Sequence, residues 1–268
     1  MSRIHLAILA ALALSLPLAA FAGPCTDGGY GSITDPSGSV HVSPTGDDAA
    51  AGTEAAPFKT LAQALTQSRA TGKHIALHTG TWFESLSLSS ADDGLTIAGC
   101  SSTESRLSGG SSTSLISASG TDSFLLAGIG LSGGKNSLNL TDGATATTDE
   151  IAVVNAWQTA VRISGSGSEL MFKNSNVERT RDVSGVGAAI LVDGGFLDLK
   201  GGTVTKNKGN TIEIKGGGDA SLRLATISDA LLTATGAGGH ALVADSSSTF
   251  DMRDYSIEDT ADAAIVAP

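Results

Sequence analysis

A set of short apolar stretches recurs through the second half of the chain at a nearly constant spacing, and this repeat limits the possible folds more than any other feature. Each repeat holds three such stretches, separated by turns rich in Gly, Ser, Asn and Asp. The first stretch begins at Val161, Ile190, Ile212, Leu242 and Ile265, the second at Leu170, Leu197, Leu222 and Phe250, and the third at Val177, Val204, Ile227 and Ile257. Three positions that recur together about every 26 residues indicate a solenoid.

Each stretch is too short and too one-sided to bury its own apolar residues. Stacking one repeat on the next would place every inward Val, Ile or Leu on its counterpart one coil away. The composition agrees, because aromatic residues make up only 4% of the chain and there are 34 Gly residues, which suits short strands and tight turns. The sequence therefore predicts an all-β fold, a parallel β-helix with three strands in each coil.

The first 22 residues have the three parts of a signal peptide. Arg3 gives a basic start, residues 6–16 are an apolar run, and Ala20-Phe21-Ala22 has the small residues of a cleavage site. The run is too short for a transmembrane anchor, and a buried N-terminal helix is the alternative. We therefore expect cleavage near Ala22, then export to the periplasm, the cell surface or the medium, and no membrane-spanning segment in the mature chain.

The chain is acidic, with a formal net charge of −11 and a sequence pI near 4.7. Binding to nucleic acid or to an anionic lipid surface requires clusters of Lys and Arg, so we expect neither as a partner. We interpret the negative charge as a feature that keeps an exported protein soluble.

Two cysteines, Cys25 and Cys100, remain after the signal peptide. An exported protein can form disulfides, and two cysteines allow a single pairing, which would tie the N-terminal tail to an early coil. Two unrelated thiols are the alternative. A lipid on Cys25 is not expected, because Pro24 stands where the residue before a lipidated cysteine is normally small.

The rest of the chain divides into a linker and one domain. Residues 23–40 are rich in Gly, Ser, Pro and Asp and predict a flexible linker. Residues 41–268 form the β-helix domain, with an N-terminal cap over 41–85 and coils over 86–268. Within the coils, residues 101–115 are dominated by Ser, Thr and Gly, which predicts a loop outside the walls.

One amphipathic helix is predicted in the cap, over residues 57–71. Its apolar residues recur at helical spacing on one face. Pro57 suits the first turn of a helix, and Gly72 is placed to end it. A solenoid must cover the open end of its core, so we expect this helix to be the N-terminal lid.

The cap also carries a recognisable series of short motifs. They are Val42-Ser43-Pro44-Thr45-Gly46-Asp47, Gly52-Thr53, Pro57-Phe58-Lys59-Thr60, Ala64-Leu65 and Gly80-Thr81-Trp82. This series resembles the opening segment of secreted right-handed parallel β-helix proteins of the pectin-lyase-like superfamily, with His41 in place of the common aromatic residue and Trp82 in place of a frequent Tyr. The resemblance covers about residues 41–83 and implies a right-handed single-stranded parallel β-helix (solenoid) with a short N-terminal capping helix. It names no activity, because the same segment resembles that of lyases, epimerases, hydrolases and proteins without known chemistry.

A polysaccharide lyase on such a scaffold must neutralise a uronate carboxylate, often with Ca²⁺ held by Asp or Glu, and must remove a proton with Lys or Arg. Glu213 and Lys215 alternate with two isoleucines, so they would share one outer face. They resemble the acid–lysine neighbourhood of alginate-lyase and chondroitinase-type β-helices, in which the acid holds calcium and the lysine is the base. His240 stands about one coil later, near the position of that family's Arg-His pair, but Gly239 replaces the arginine.

Each of these candidates has a simpler interpretation. Glu213 and Lys215 could be a surface ion pair without a function, and His240 could be a turn residue. Trp157 and Tyr255 could be platforms for a sugar ring, although burial would explain them equally well.

A second group of charged residues follows the third strand of successive coils. It could contact an acidic sugar or a protein, or it could be the solvated turn region of a solenoid. Its members are Glu178, Arg179, Arg181, Asp182, Lys206, Lys208, Asp229, Glu258, Asp259 and Asp262.

Together these features favour an exported, bacterial-type β-helix protein that contacts extracellular polysaccharide or other cell-envelope components, without catalysis and without a cofactor. The alternative is a polysaccharide lyase acting on a uronate polymer, with Lys215 as the base and Glu213 as a calcium ligand. A third hypothesis is an adhesin or assembly protein that associates with itself through an uncapped C-terminal coil.

Overall fold

The protein is described here from a computed structural model, which covers residues 25, 29–30, 33–181, 188–231, 239–261 and 265–267. The predicted signal peptide and two of the charged turn residues, Asp182 and Asp262, lie outside the described residues. The described part is an all-β solenoid in which every strand pairs in parallel with its neighbours, and its one α-helix lies near the N-terminus. The prediction of a parallel β-helix is confirmed.

The strands are β1 (Val40–Val42), β2 (Ile75–Leu77), β3 (Gly80–Trp82), β4 (Leu86–Leu88), β5 (Thr96–Gly99), β6 (Ser105–Gly109), β7 (Ile116–Ser119), β8 (Phe124–Ala127), β9 (Gly130–Gly133), β10 (Asn136–Thr141), β11 (Thr145–Asp149), β12 (Ala152–Val154), β13 (Thr159–Ser164), β14 (Glu169–Glu178), β15 (Ala188–Asp193), β16 (Phe196–Thr205), β17 (Asn210–Lys215), β18 (Asp219–Arg223), β19 (Thr226–Ser228), β20 (Leu242–Ala244), β21 (Thr249–Arg253), β22 (Ser256–Glu258) and β23 (Ile265–Val266).

These strands form three walls. Wall A is an eight-stranded sheet of β4, β7, β10, β13, β15, β17, β20 and β23. The fifteen-stranded sheet supplies the other two walls, because β14 and β16 are long enough to serve both. Wall B holds β1, β2, β5, β8, β11, β18, β21 and the first halves of β14 and β16. Wall C holds β3, β6, β9, β12, β19, β22 and the second halves of β14 and β16.

The core consists of columns of aliphatic side chains that stack from coil to coil. On wall A, Val161 pairs with Ile190, Ile190 with Ile212, Ile212 with Leu242, and Leu242 with Ile265. On wall C the predicted column is also found, running through Val177, Val204, Ile227 and Ile257. Burial is complete in the middle coils and falls in the last one, where Ile257 is half-buried and Ile265 is exposed.

The predicted column on wall B was wrong in one place. Leu222 pairs with Leu199 and Met252, whereas Phe250 pairs with Ala220. The predicted register and the observed register differ by two residues, so the same face of the strand points inward in both. Apolar periodicity alone therefore could not separate them.

From β8 onward, residues with positive φ make the corners between walls B and C and between walls C and A, in most cases one residue to a corner. Between walls B and C these residues are Gly128, Glu150, Asn174, Gly201, Leu224 and Asp254. Between walls C and A they are Asn155, Arg179, Lys206, Asp229 and Asp259. Gly, Asn and Asp tolerate this conformation, whereas longer side chains adopt it at a cost in free energy.

The lid helix α1 spans Leu61–Thr71, so the predicted start at Pro57 was wrong. Phe58 continues the sheet edge beside β1, because its N–H donates to the carbonyl of His41 at 2.9 Å. Thr60 is the cap that begins the helix, and its hydroxyl accepts from the N–H of Gln63. Gly72 ends the helix at φ 68°, as predicted.

α1 closes the N-terminal end of the core, packing against β1 and β2 and burying Leu61, Ala64 and Leu65. The Arg69 guanidinium donates to both carboxylate oxygens of Asp92, at 2.8 and 2.7 Å, which ties the helix to the first coil. No helix in the described ranges is long and apolar enough to cross a membrane.

The predicted loop over residues 101–115 was also wrong, because it contains strand β6. Leu107 points into the core and pairs with Trp82 and Leu131 on wall C. Leu107 is the only leucine in β6 and is followed by Ser and Gly, so the segment lacks the apolar alternation that would reveal a strand in the sequence.

The described residues of the predicted linker are packed against wall B. Tyr30 and Ile33 are buried against Ala76, Ala98 and Ala127, which form one outward column on β2, β5 and β8. Alanine side chains on this column leave room for a second layer of chain. The sulfurs of Cys25 and Cys100 are bonded to each other at the same place.

Two buried histidines lie beneath this tail. The Nε2 of His41 is 2.7 Å from the carbonyl oxygen of Pro36, which can only accept, so this nitrogen carries the proton. The Nδ1 of His41 lies 3.2 Å from the Nε2 of His78, so the two rings share a hydrogen bond. Burial and the neighbouring His41 lower the pKa of His78 to about 4. Burial also raises the pKa of Tyr30, which packs edge-on against His41, to about 12.

Candidate functional site

The predicted Glu213–Lys215 pair lies on the outer face of wall A, because Ile212 and Ile214 point inward. The Nζ of Lys215 is 3.3 Å from the Oε1 of Glu213, and the side-chain amide of Asn210 donates to Oε2 at 3.2 Å. Both charged side chains reach solvent, with 42% of Lys215 and 21% of Glu213 exposed. The pair is therefore accessible, and its two charges largely compensate each other.

His240 lies one coil further along wall A, just before β20. Its carbonyl oxygen accepts from the N–H of Thr211 at 2.8 Å, so its backbone continues the ladder next to Asn210. The structure thus brings Glu213 and Lys215 together and places His240 on the adjacent coil. Within the described ranges no three His, Cys, Asp or Glu side chains are grouped as a metal site would require.

A groove of about 360 Å³ lies on the outer face of wall B. It arises because Thr145 and Thr147 are smaller than Leu125 in the preceding coil and than Glu169, Met171 and Phe196 in the later coils. One outward column runs from Thr145 through Glu169 to Phe196, and the next runs from Leu125 through Thr147 and Met171 to Asp198. The threonines form a shallow floor, and the larger side chains of the later coils rise above it.

The groove combines apolar side chains with carboxylates. Phe196 and Met171 are 37% and 39% exposed, which is unusual for large apolar residues on a sheet face without a partner. Asp198 is only 8% exposed, and its Oδ2 accepts from the Arg223 guanidinium at 2.7 Å. The other oxygen, Oδ1, is buried and has no hydrogen-bond partner among the described residues.

The sequence contains a signal for this groove that the prediction did not use. Phe196 and Asp198 alternate with Leu197 and Leu199, and the inward leucines leave the other two on the outer face. The prediction named Trp157 and Tyr255 as possible sugar platforms and did not include Phe196.

Trp157 and Tyr255 do not contribute to the groove. Tyr255 is 44% exposed at the corner before β22. Trp157 is half-buried at the corner between walls C and A, and the guanidinium carbon of Arg181 lies 4.6 Å from the centre of its ring.

The charged turn residues stack beside wall C. Glu178 is central to them, because its Oε1 is 3.1 Å from the guanidinium of Arg179 and 3.3 Å from the Nζ of Lys206 on the next coil. Asp229 accepts from the hydroxyl of Thr205 at 3.0 Å. The group is a mixed-charge column in which most of the cations come from the coils of β14 and β16.

Residues 44–216 match the model of the family described as "Protein of unknown function (DUF1565)". The chain belongs to this family. The match covers the cap and the coils through β17, so it includes the wall B groove and the Glu213–Lys215 pair. No curated protein matches the chain, and no solved structure matches it either.

Proposed function

We propose that this DUF1565 protein is an exported, non-catalytic β-helix protein that binds a glycan in the groove on wall B. The observation that carries the proposal is the exposed Phe196 beside the buried, unpartnered Oδ1 of Asp198. The same proposal includes export after the predicted signal peptide, a right-handed coil and kinship with the pectin-lyase-like superfamily.

The chemistry of the groove suits a sugar. A sugar ring has a C–H face that packs on an aromatic or apolar side chain, and Phe196, Met171 and Leu125 offer such surfaces. Its hydroxyls donate hydrogen bonds, and the carboxylates of Asp198 and Glu169 are acceptors. A buried acceptor without a partner is costly, so a hydroxyl bonded to Oδ1 of Asp198 would remove that cost on binding.

Affinity electrophoresis with soluble mannan, xylan and laminarin tests this proposal. We expect at least one polysaccharide to retard the protein and Phe196→Ala to weaken that binding at least tenfold. Phe83→Ala is the matched control, because Phe83 is also exposed but lies away from the groove. The proposal is wrong if none of the three polysaccharides binds, or if Phe196→Ala and Phe83→Ala bind equally well.

A polysaccharide lyase is the second candidate function, and the adjacent Glu213 and Lys215 on wall A favour it. In that reaction Lys215 would remove the proton next to a uronate carboxylate, and Glu213 would help to hold a calcium ion. Calcium-dependent release of unsaturated sugars from polygalacturonate or alginate, abolished by Lys215→Ala, would support this function. Release that persists in Lys215→Ala would exclude Lys215 as the base.

A further inference from the structure

Cations flank wall C on both sides in two successive coils. In the coil of β14 they are Lys173, Arg179 and Arg181, and in the coil of β16 they are Lys200, Lys206 and Lys208. Lys173 pairs with Lys200, and the hydrogen bonds of the corner that follows keep the same register, with Arg179 beside Lys206 and Arg181 beside Lys208. Each cation of one coil therefore lies beside a cation of the next. Adjacent strands lie about 4.8 Å apart, so these like charges repel one another.

Among the described residues, few acidic side chains compensate this charge. Glu178 is the acid within the strip, and it already pairs with both Arg179 and Lys206. Lys173, Lys200, Arg181 and Lys208 form no ion pair with any described residue. Asp149 lies beside Lys173 in the register, but its carboxylate accepts from the amide of Asn174 instead. A positive strip in a chain of net charge −11 is a local concentration of charge that the composition does not explain.

Backbone conformation gives a second, independent indication. Arg179 and Lys206 have φ of 58° and 55° at the corner between walls C and A. The neighbouring coils place Asn155, Asp229 and Asp259 at this corner, and these residue types adopt positive φ more easily. The two coils therefore carry cations at positions where an uncharged Asn would fit the backbone better. Strain of this kind is characteristic of functional positions.

Apart from Glu178, the surface between the cations is polar and uncharged. The side-chain oxygen of Asn176 accepts from both the N–H and the hydroxyl of Thr203, at 3.0 and 2.9 Å. This arrangement fixes the amide of Asn176, an exposed residue whose NH₂ group can donate to a ligand. The strip is only one short strand wide, since Val177 and Val204 are buried and only alternate side chains reach the surface.

We propose that wall C of the β14 and β16 coils binds a linear polysaccharide with negatively charged groups on successive sugars. Cations that recur every ~4.8 Å along the axis can meet successive negative groups of an extended chain. The central amide and hydroxyl groups of Asn176 and Thr203 match the remaining sugar hydroxyls. Nucleic acid fits less well, because its single strands require several stacking platforms and Trp157 is the only aromatic residue at the strip, with one ring face covered by Arg181.

The double variant Arg179→Asn/Lys206→Asn separates this role from a structural one. Asn suits positive φ, so we expect the midpoint of thermal unfolding to stay the same or rise. Binding to dextran sulfate, measured by isothermal titration at low salt, should weaken at least tenfold. Lys59→Asn/Lys73→Asn is the matched control, because it makes the same change in net charge on exposed residues near the lid, and it should bind as the unchanged protein does.

Neutral dextran, single-stranded DNA and anionic phosphatidylserine vesicles serve as comparison ligands. The proposal fails if Arg179→Asn/Lys206→Asn retains full binding to dextran sulfate, or if the control variant loses as much. It also fails if neutral dextran, the DNA or the vesicles bind as tightly as dextran sulfate.

Discussion

The imidazole rings of His41 and His78 share one hydrogen bond, between Nε2 of His78 and Nδ1 of His41, at a site closed to solvent by the N-terminal tail. This bond requires that one of the two nitrogens carry no proton. Protonation of both rings would place two N–H donors face to face.

Acid should therefore weaken the fold through His78. Its pKa is about 4 in the folded protein and near 6.5 when unfolded, so the unfolded state binds the proton more tightly. The stabilisation is complete above pH 6.5 and is lost as the pH falls toward 4, by at most about 3 kcal/mol. Urea unfolding between pH 7.5 and 4 measures this loss. His78→Gln, which keeps a donor but cannot titrate, should flatten the profile; an equally steep profile in this variant would contradict the assignment.

Leu224→Asn should stabilise the protein. Leu224 has φ of 54° at the corner between walls B and C, where Asn174 and Gly201 stand in earlier coils. Its side chain is 61% exposed, so little apolar burial is lost. We expect a gain of about 0.5–1 kcal/mol in the free energy of unfolding. Leu231→Asn, at an exposed leucine without positive φ, is the control and should give no such gain; equal effects would rule out the backbone explanation.

Ile212→Ala should destabilise the protein by about 2–5 kcal/mol, because Ile212 is fully buried between Ile190 and Leu242. Val243→Ala on the outer face of the adjacent strand should cost roughly 1 kcal/mol or less. Chemical denaturation of both variants measures the difference. Similar losses would mean that the inward and outward faces of wall A have been exchanged.

Reduction should lower the stability of the folded protein through the Cys25–Cys100 disulfide. The bond joins residues separated by 75 positions, and closing a loop of that length stabilises by roughly 4 kcal/mol in the chain-entropy model. Thermal unfolding with and without dithiothreitol measures the effect. The Cys25→Ser/Cys100→Ser variant should match the reduced protein and show no further response to dithiothreitol. A response in that variant would assign the effect to something other than this bond.

The solenoid was predictable because its core positions repeat in sequence. One column contains Val161, Ile190 and Ile212, and each further coil repeats the same apolar pattern in the sequence. The start of α1 was not predictable in this way. Pro57 and Phe58 have the residue types of a first helical turn, but the tertiary hydrogen bonds of Phe58 beside β1 hold the segment in an extended conformation.

The candidate sites were harder to predict because outward residues do not repeat. The proximity of Glu213 and Lys215 followed from strand alternation alone, and the structure places them 3.3 Å apart. The groove depends instead on the relative sizes of residues in different coils, such as Thr145 beside Glu169 and Glu169 beside Phe196. That relationship appears only when the register between coils is known.

The alanine column formed by Ala76, Ala98 and Ala127 has a consequence for any polymer that lies along wall B. The N-terminal tail occupies this part of the wall, and the disulfide fastens it there. The column continues through Asp149 and Lys173 to Lys200, so a polymer that followed it toward the lid would meet the tail at Ala127. The length of ligand that this column accommodates is therefore limited by the protein's own N-terminal segment.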